Sequence, residues 1–152
     1  MAKAAGSMGN LSQGERNGLR HVLWSATIAA REGADVAQDL TNSHEGIGMG
    51  QRAAIDFSLP LLQDAGHADE IVDFLNNEIG RSVASNMAPD AGMKDIAKEA
   101  LKVQLNEGFY QVNKKDGIIN ISREQLSEKK YDKAIQNIDK LESNGLPQDQ
   151  EP

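Results

Sequence analysis

Three short polar groups in this chain have the residue types that hydrolytic sites use. They are Asn17-x-x-x-His21-x-x-Trp24, His44-Glu45, and Asp73-x-x-Asn76-Asn77. Two imidazoles and a carboxylate can hold a divalent ion and leave a position open for water, as catalytic zinc sites do. Without metal, the same groups can move a proton. His21, His44 and Asp73 are therefore the candidate metal ligands, with zinc the first choice of ion. Glu45 is the candidate base, and His21, His44, Glu45 and Asp73 form the candidate catalytic set. Asn17, Arg20, Trp24, Asn76, Asn77 and Arg81 are the candidate substrate-binding residues, the arginines for an anionic group.

Each residue also has a structural explanation. Asn17, His21 and Trp24 share a helix face by spacing. His21 opens a stretch, His21 to Ala30, without Lys, Arg, Asp or Glu. A buried imidazole there needs hydrogen-bond partners whether or not it does chemistry. His44 stands at a predicted helix C-terminus, where the helix dipole favours a charged imidazole. Asp73, Asn76, Asn77, Gly80 and Arg81 make a stripe that is solvated in most helices. Adjacent asparagines are poor helix formers, and a mid-helix glycine costs about 1 kcal/mol against alanine. A ligand or a second helix close to this face would explain both. His67 reads as a loop or capping residue. Gly46, Gly48 and Gly50 form a loop that lacks the Lys-Ser/Thr of a phosphate loop.

The elements that must position these residues are mostly helices. Ser12 with Glu15 has capping-box spacing and starts the first helix. Gly33 breaks it. Ala34 to Glu45 reads as a second helix with Val36, Ala37 and Leu40 on one face. Arg52 to Gln63 resumes an apolar pattern that Pro60 stops or kinks. Ala68 to Asn86 places Ile71, Val72, Leu75, Ile79 and Val83 at helical spacing. Another helix carries Met93 to Leu105. Phe109-Tyr-Gln-Val and Ile118-Ile-Asn-Ile, flanking Lys115-Asp116-Gly117, signal a hairpin. Ser122 with Gln125 repeats the capping-box spacing before a last helical pattern from Leu126 to Leu141, which Gly145 and Pro147 end. The expectation is a mainly α, compact domain of five to six helices with a small β-hairpin at about 109–121. Residues 1–10 read as a lead-in, 11–145 as one domain and 146–152 as a disordered tail.

Composition narrows the function classes. The 152 residues fit one domain with a sizeable core. The net charge of −7 argues against nucleic acid as the main partner and permits docking to a basic one. The absence of cysteine excludes thiolate chemistry and disulfides. No apolar run approaches membrane-spanning length, and no signal-peptide pattern precedes Asn10. The expected location is the cytoplasm, or export by a specialised secretion system.

In order, Asn17-Gly-Leu-Arg-His21-Val-Leu-Trp24, His44-Glu45 and Val72-Asp73-Phe-Leu-Asn76-Asn77-Glu-Ile-Gly80-Arg81 resemble a bacterial domain family of unknown function. Its pattern is approximately N-A-x-R-H-x-x-W, then A-H-E, then M-D-x-x-N-N-x-x-G-R. The likeness runs from about Glu15 to Arg81. Gly18, Ser43 and Val72 depart from it, at positions where Ala, Ala and Met are usual. The resemblance implies a bacterial source and a secreted or toxin-like context, with an immunity protein, chaperone or secretion-machine component as partner. The matched polar positions are Asn17, Arg20, His21, His44, Glu45, Asp73, Asn76, Asn77 and Arg81. Two functions follow as expectations. One is a hydrolase, metal-dependent in its more specific form. The other is a non-catalytic helical interaction protein whose polar set is a buried network.

Overall fold

A computed structural model describes the backbone at residues 11–45 and 65–141, and side chains at 11–40 and 68–141. The lead-in, the glycine loop, Arg52 to Gln63, Gly145, Pro147 and the tail lie outside these residues.

The first helix, α1, spans Gln13–Glu32. Its start follows from two reciprocal bonds. The Glu15 N–H donates to Ser12 Oγ at 3.2 Å, and the Ser12 N–H donates to Glu15 Oε1 at 2.8 Å. Both are donors that an uncapped helix leaves open. Gly33 ends α1 at φ 97°, a left-handed conformation suited to glycine. Helix α2, Ala34–Glu45, follows at once. Ala37 is fully buried, whereas Val36 and Leu40 are 43% and 52% exposed. The inward face of α2 is thus narrower than its apolar spacing suggests.

Helix α3, Ala65–Ser85, begins three residues earlier than its periodicity predicts, so His67 falls in its first turn rather than before it. Helix α4 spans Met93–Asn106. Strands β1, Phe109–Lys115, and β2, Ile118–Glu124, pair antiparallel with Lys115 opposite Ile118. The connection is Asp116-Gly117, with φ 53° and 77°. Two left-handed residues fit the right-handed twist of a hairpin. Helix α5 spans Glu128–Asp139. Its N-cap is Ser127, whose Oγ accepts from the Lys130 N–H at 3.2 Å. Ser122 has the same spacing to Gln125 but lies in the ladder opposite Gln111. The described chain is therefore mainly α, with five helices and one hairpin among the described residues.

The main core joins Leu19, Val22, Leu23 and Ala26 of α1 to Ile96, Ala100 and Leu101 of α4, Phe109 of β1 and Ile138 of α5. A second cluster joins Ala68, Ile71, Phe74 and Leu75 of α3 to Ile119 of β2. Val83 and Ala84, further along α3, belong to the main core. Helix α3 therefore spans both clusters. It runs alongside α1 in the same direction, since Gly18 lies near Asn76 and Val22 near Gly80.

Candidate functional site

The seam between α1 and α3 has almost no room at its crossing point. A β-carbon on Gly80 would stand 2.4 Å from the Val22 carbonyl oxygen, 2.8 Å from Ser25 Cβ and 2.9 Å from the Ala26 nitrogen. The mid-helix glycine thus has its reason: another helix passes over it. One to two turns before this crossing, the polar residues of the two helices meet.

His21 Nε2 stands 3.2 Å from Asp73 Oδ1, across 52 residues of sequence. The His21 side chain is 8% exposed and that of Asp73 17%. Asn17 Nδ2 donates to the same Asp73 oxygen at 3.1 Å, and Arg20 Nη2 donates to Asn17 Oδ1 at 2.7 Å. Trp24 meets the His21 ring edge-on, with centroids 6.4 Å apart and planes at 70°. Asn17, Arg20, His21, Trp24 and Asp73 therefore form one contiguous group. Nε2 is turned to Asp73, and Nδ1 of the same ring is buried.

The Asp69 carboxyl sits one turn before Asp73. Although Asp69 is an exposed residue, partial desolvation first, and then the negative charge of Asp73, push it above the ordinary value of 3.8. The site therefore has a second carboxylate close enough to feel its charge.

The two asparagines are fully buried, so this part of the stripe is an interior surface rather than a solvated one. They differ in use. The Tyr110 N–H donates to Asn76 Oδ1 at 2.9 Å, and Asn76 Nδ2 donates to the Tyr110 carbonyl at 3.1 Å. Asn76 thereby imitates a neighbouring strand along the outer edge of β1. Asn77 accepts at its backbone carbonyl from Ser25 Oγ at 2.6 Å. Neither its side-chain nitrogen nor its side-chain oxygen has a hydrogen-bond partner among the described residues. Arg81, two turns beyond Asp73, is half-buried.

The side chains of His44 and Glu45 lie outside the described residues. Among the described residues, no three His, Asp or Glu side chains come together as a metal site. A cleft of about 360 Å³ lies on the far side of α3, where Ile79, Val103, Tyr110, Glu78 and Glu99 are among its lining residues. None of Asn17, His21 or Asp73 lines it, so cleft and polar seam are separate features. Among the described residues, no helix is long and apolar enough to cross a membrane.

Ser25 and Asp69 carry no signal by residue type alone. Ser25 is a polar residue one turn after His21 in the charge-free stretch of α1. Asp69 is one turn before Asp73. Helical spacing from residues already singled out was the signal in both cases.

No curated protein and no solved structure matches the chain. A family described as a domain of unknown function, DUF6973, matches residues 1–109. That span takes in α1, α2, α3 and α4 and reaches the first residue of β1, so the seam lies within it and nearly all of the hairpin and α5 lie beyond it. The match covers well over half of the 152 residues, and the chain belongs to the DUF6973 family.

Proposed function

We propose that this chain is a hydrolase domain of a bacterial exported effector, with its centre at the α1–α3 seam. The observation that carries the reading is the 3.2 Å approach of His21 Nε2 to Asp73 Oδ1 from two separate helices. Two ligands each about 2.0–2.1 Å from a tetrahedral ion stand roughly 3.3 Å apart. The pair is spaced as two of the three ligands of a zinc-type site.

His44 is the third ligand in this reading. It follows Ala37, a buried residue of α2, by seven positions, two turns along one face. It also lies about as far after Gly33 as His21 lies before it. His21, Asp73 and His44 would hold such an ion, which would supply a Lewis-acidic centre. Glu45, the residue after His44, would be the base. Arg20 or Arg81 holds an anionic part of the substrate. The toxin-like motif pattern and the charge of −7 support a basic protein partner such as an immunity protein or chaperone.

A second reading has an observation of its own. The bonds from Arg20 to Asn17 to Asp73 form a network around a nearly buried imidazole, as a structural lock would. Elemental analysis separates the two. After dialysis against chelator and reloading with zinc, about one zinc per chain is expected in the wild type, and less in His21→Ala, His44→Ala and Asp73→Asn. A wild type that takes up no zinc would leave the structural lock as the reading.

A further inference from the structure

The cleft between α3, α4 and β1 has a regular lining that the seam does not use. Leu75, Ile79 and Val83 follow one another at four-residue steps on α3, and Val103 lines the same cleft from α4. Positions four apart on a helix form one ridge. Leu75 and Val83 are buried and Ile79 and Val103 partly buried, so this apolar set is the floor. The banks carry charge. Glu78 lines the cleft from α3, and Glu99 and Glu107 line it from α4 on either side of Val103.

The charges of the rim do not cancel. Among the described residues no cation pairs with Glu99 or Glu107. Arg123, the cation among the lining residues, is held at the hairpin end. Its Nε donates to the Gly108 carbonyl at 2.7 Å, and its guanidinium lies 5.4 Å from the centre of the Tyr110 ring. The cleft therefore calls for a cationic occupant with an apolar part.

Spacing narrows the class. Glu99, Val103 and Glu107 follow at four-residue steps, and Glu107 is the C-cap of α4. At the rise of a helix the two carboxylates stand about 12 Å apart along the axis, with the apolar residue midway. No single ammonium or metal ion spans that distance. A second helix with Lys or Arg eight positions apart and a large apolar residue midway repeats it. A second copy of this chain is a poor occupant, because it would bring a net charge of −7 against the same sign.

We propose that this cleft docks a basic amphipathic helix of a partner protein. Its apolar residue enters over Ile79 and Val103, and its Lys or Arg side chains meet Glu99 and Glu107, with Glu78 on the opposite bank. The docking site is separate from the α1–α3 seam and independent of metal and of turnover.

The test titrates the full chain, labelled with ¹⁵N, with the peptide acetyl-AAKAAALAAAKAA-amide to millimolar concentration. The backbone amides of Ile79, Val103 and Glu107 are expected to shift saturably, and those of Asn17 and His21 to stay in place. The same peptide with glutamate for both lysines is expected not to bind. The double variant Glu99→Lys, Glu107→Lys is expected to bind the lysine peptide at least about tenfold more weakly and to gain binding of the glutamate peptide. A cleft that had merely lost its shape would bind neither. Absence of shifts, shifts centred on the seam, or equal binding of the two peptides by the wild type would overturn the proposal. So would cleft amides that shift when residues 1–10 are deleted, since the occupant would then be the chain's own lead-in with Lys3. Cleft amides that shift with protein concentration alone would assign the cleft to a second copy, with the same consequence.

Discussion

Gly80 lies so close to Val22 that any β-carbon at position 80 would stand 2.4 Å from the Val22 carbonyl oxygen. This contact sets how near α1 and α3 can approach, and so whether His21 reaches Asp73. Helix propensity alone favours alanine at a mid-helix position by about 1 kcal/mol. Overpacking against backbone, which has no rotamer to escape into, costs about 3 kcal/mol. Gly80→Ala is therefore expected to lose about 2 kcal/mol net in denaturant unfolding. A gain in stability would show that the seam is looser than the contact implies.

Asn76 ties the hairpin to the domain through the N–H and the carbonyl of one residue, Tyr110. Asn76→Ala removes both partners of Tyr110 and leaves its N–H and carbonyl open in a half-buried site. The expected loss is about 2–3 kcal/mol. Hydrogen exchange at the Tyr110 amide should accelerate in the variant, while amides paired within α4 change only by the global loss. Unchanged protection at Tyr110 would mean that the bonds are not held in solution.

Glu15 predicts the acid limb of stability. Burial pushes its carboxyl up, but the Lys130 hydrogen bond and those from the Ser12 backbone and hydroxyl outweigh burial and bring it below 4.5. Lys130 Nζ donates to Glu15 Oε1 at 2.7 Å, joining α1 to α5. A carboxyl whose pKa is lower in the folded chain stabilises fully above its unfolded value. That contribution is lost as pH falls through the folded value. Glu15→Gln should therefore be less stable near neutrality, by about 1 kcal/mol for a cap and an ion pair. Its stability should also fall less between pH 5 and about pH 3. Parallel acid limbs for the two proteins would contradict the assignment.

Asp69 offers a reporter for the site itself. Partial desolvation and then the charge of Asp73 hold its pKa up, so ionising Asp69 opposes folding, and its contribution is lost as pH rises through the folded value. Asp73→Asn removes the second cause and should lower the Asp69 pKa in a carboxyl NMR titration, with partial desolvation still keeping it above the ordinary value. A cation bound at Asp73 should lower it as well. No change in either experiment would place Asp69 outside the site.

Local signals are legible in the sequence where residues within one turn decide the outcome. Ser12 and Glu15 cap α1 because both partners lie within one turn. The Asp116-Gly117 turn follows from two residues that tolerate positive φ. The same spacing misleads at α5, which Ser127 caps: Ser122-x-x-Gln125 has capping spacing, but strand pairing with Gln111 claims Ser122. Gly80 and the asparagine pair were legible as exceptions to helix propensity. The carbonyl that Gly80 meets and the strand edge that Asn76 serves are contacts between distant segments, which no local pattern encodes. The partial exposure of α2 has the same origin: spacing gives an apolar face, and only packing tells how much of it is covered.

In the proposed function His21 and Asp73 form part of a zinc-type centre. Calorimetric titration of zinc into chelator-treated protein tests it most directly, with wild type beside His21→Ala, His44→Ala and Asp73→Asn. The account predicts one site per chain in the wild type, weakened at least about tenfold by each substitution. Absence of zinc binding by the wild type, or equal affinity in all four proteins, would contradict it.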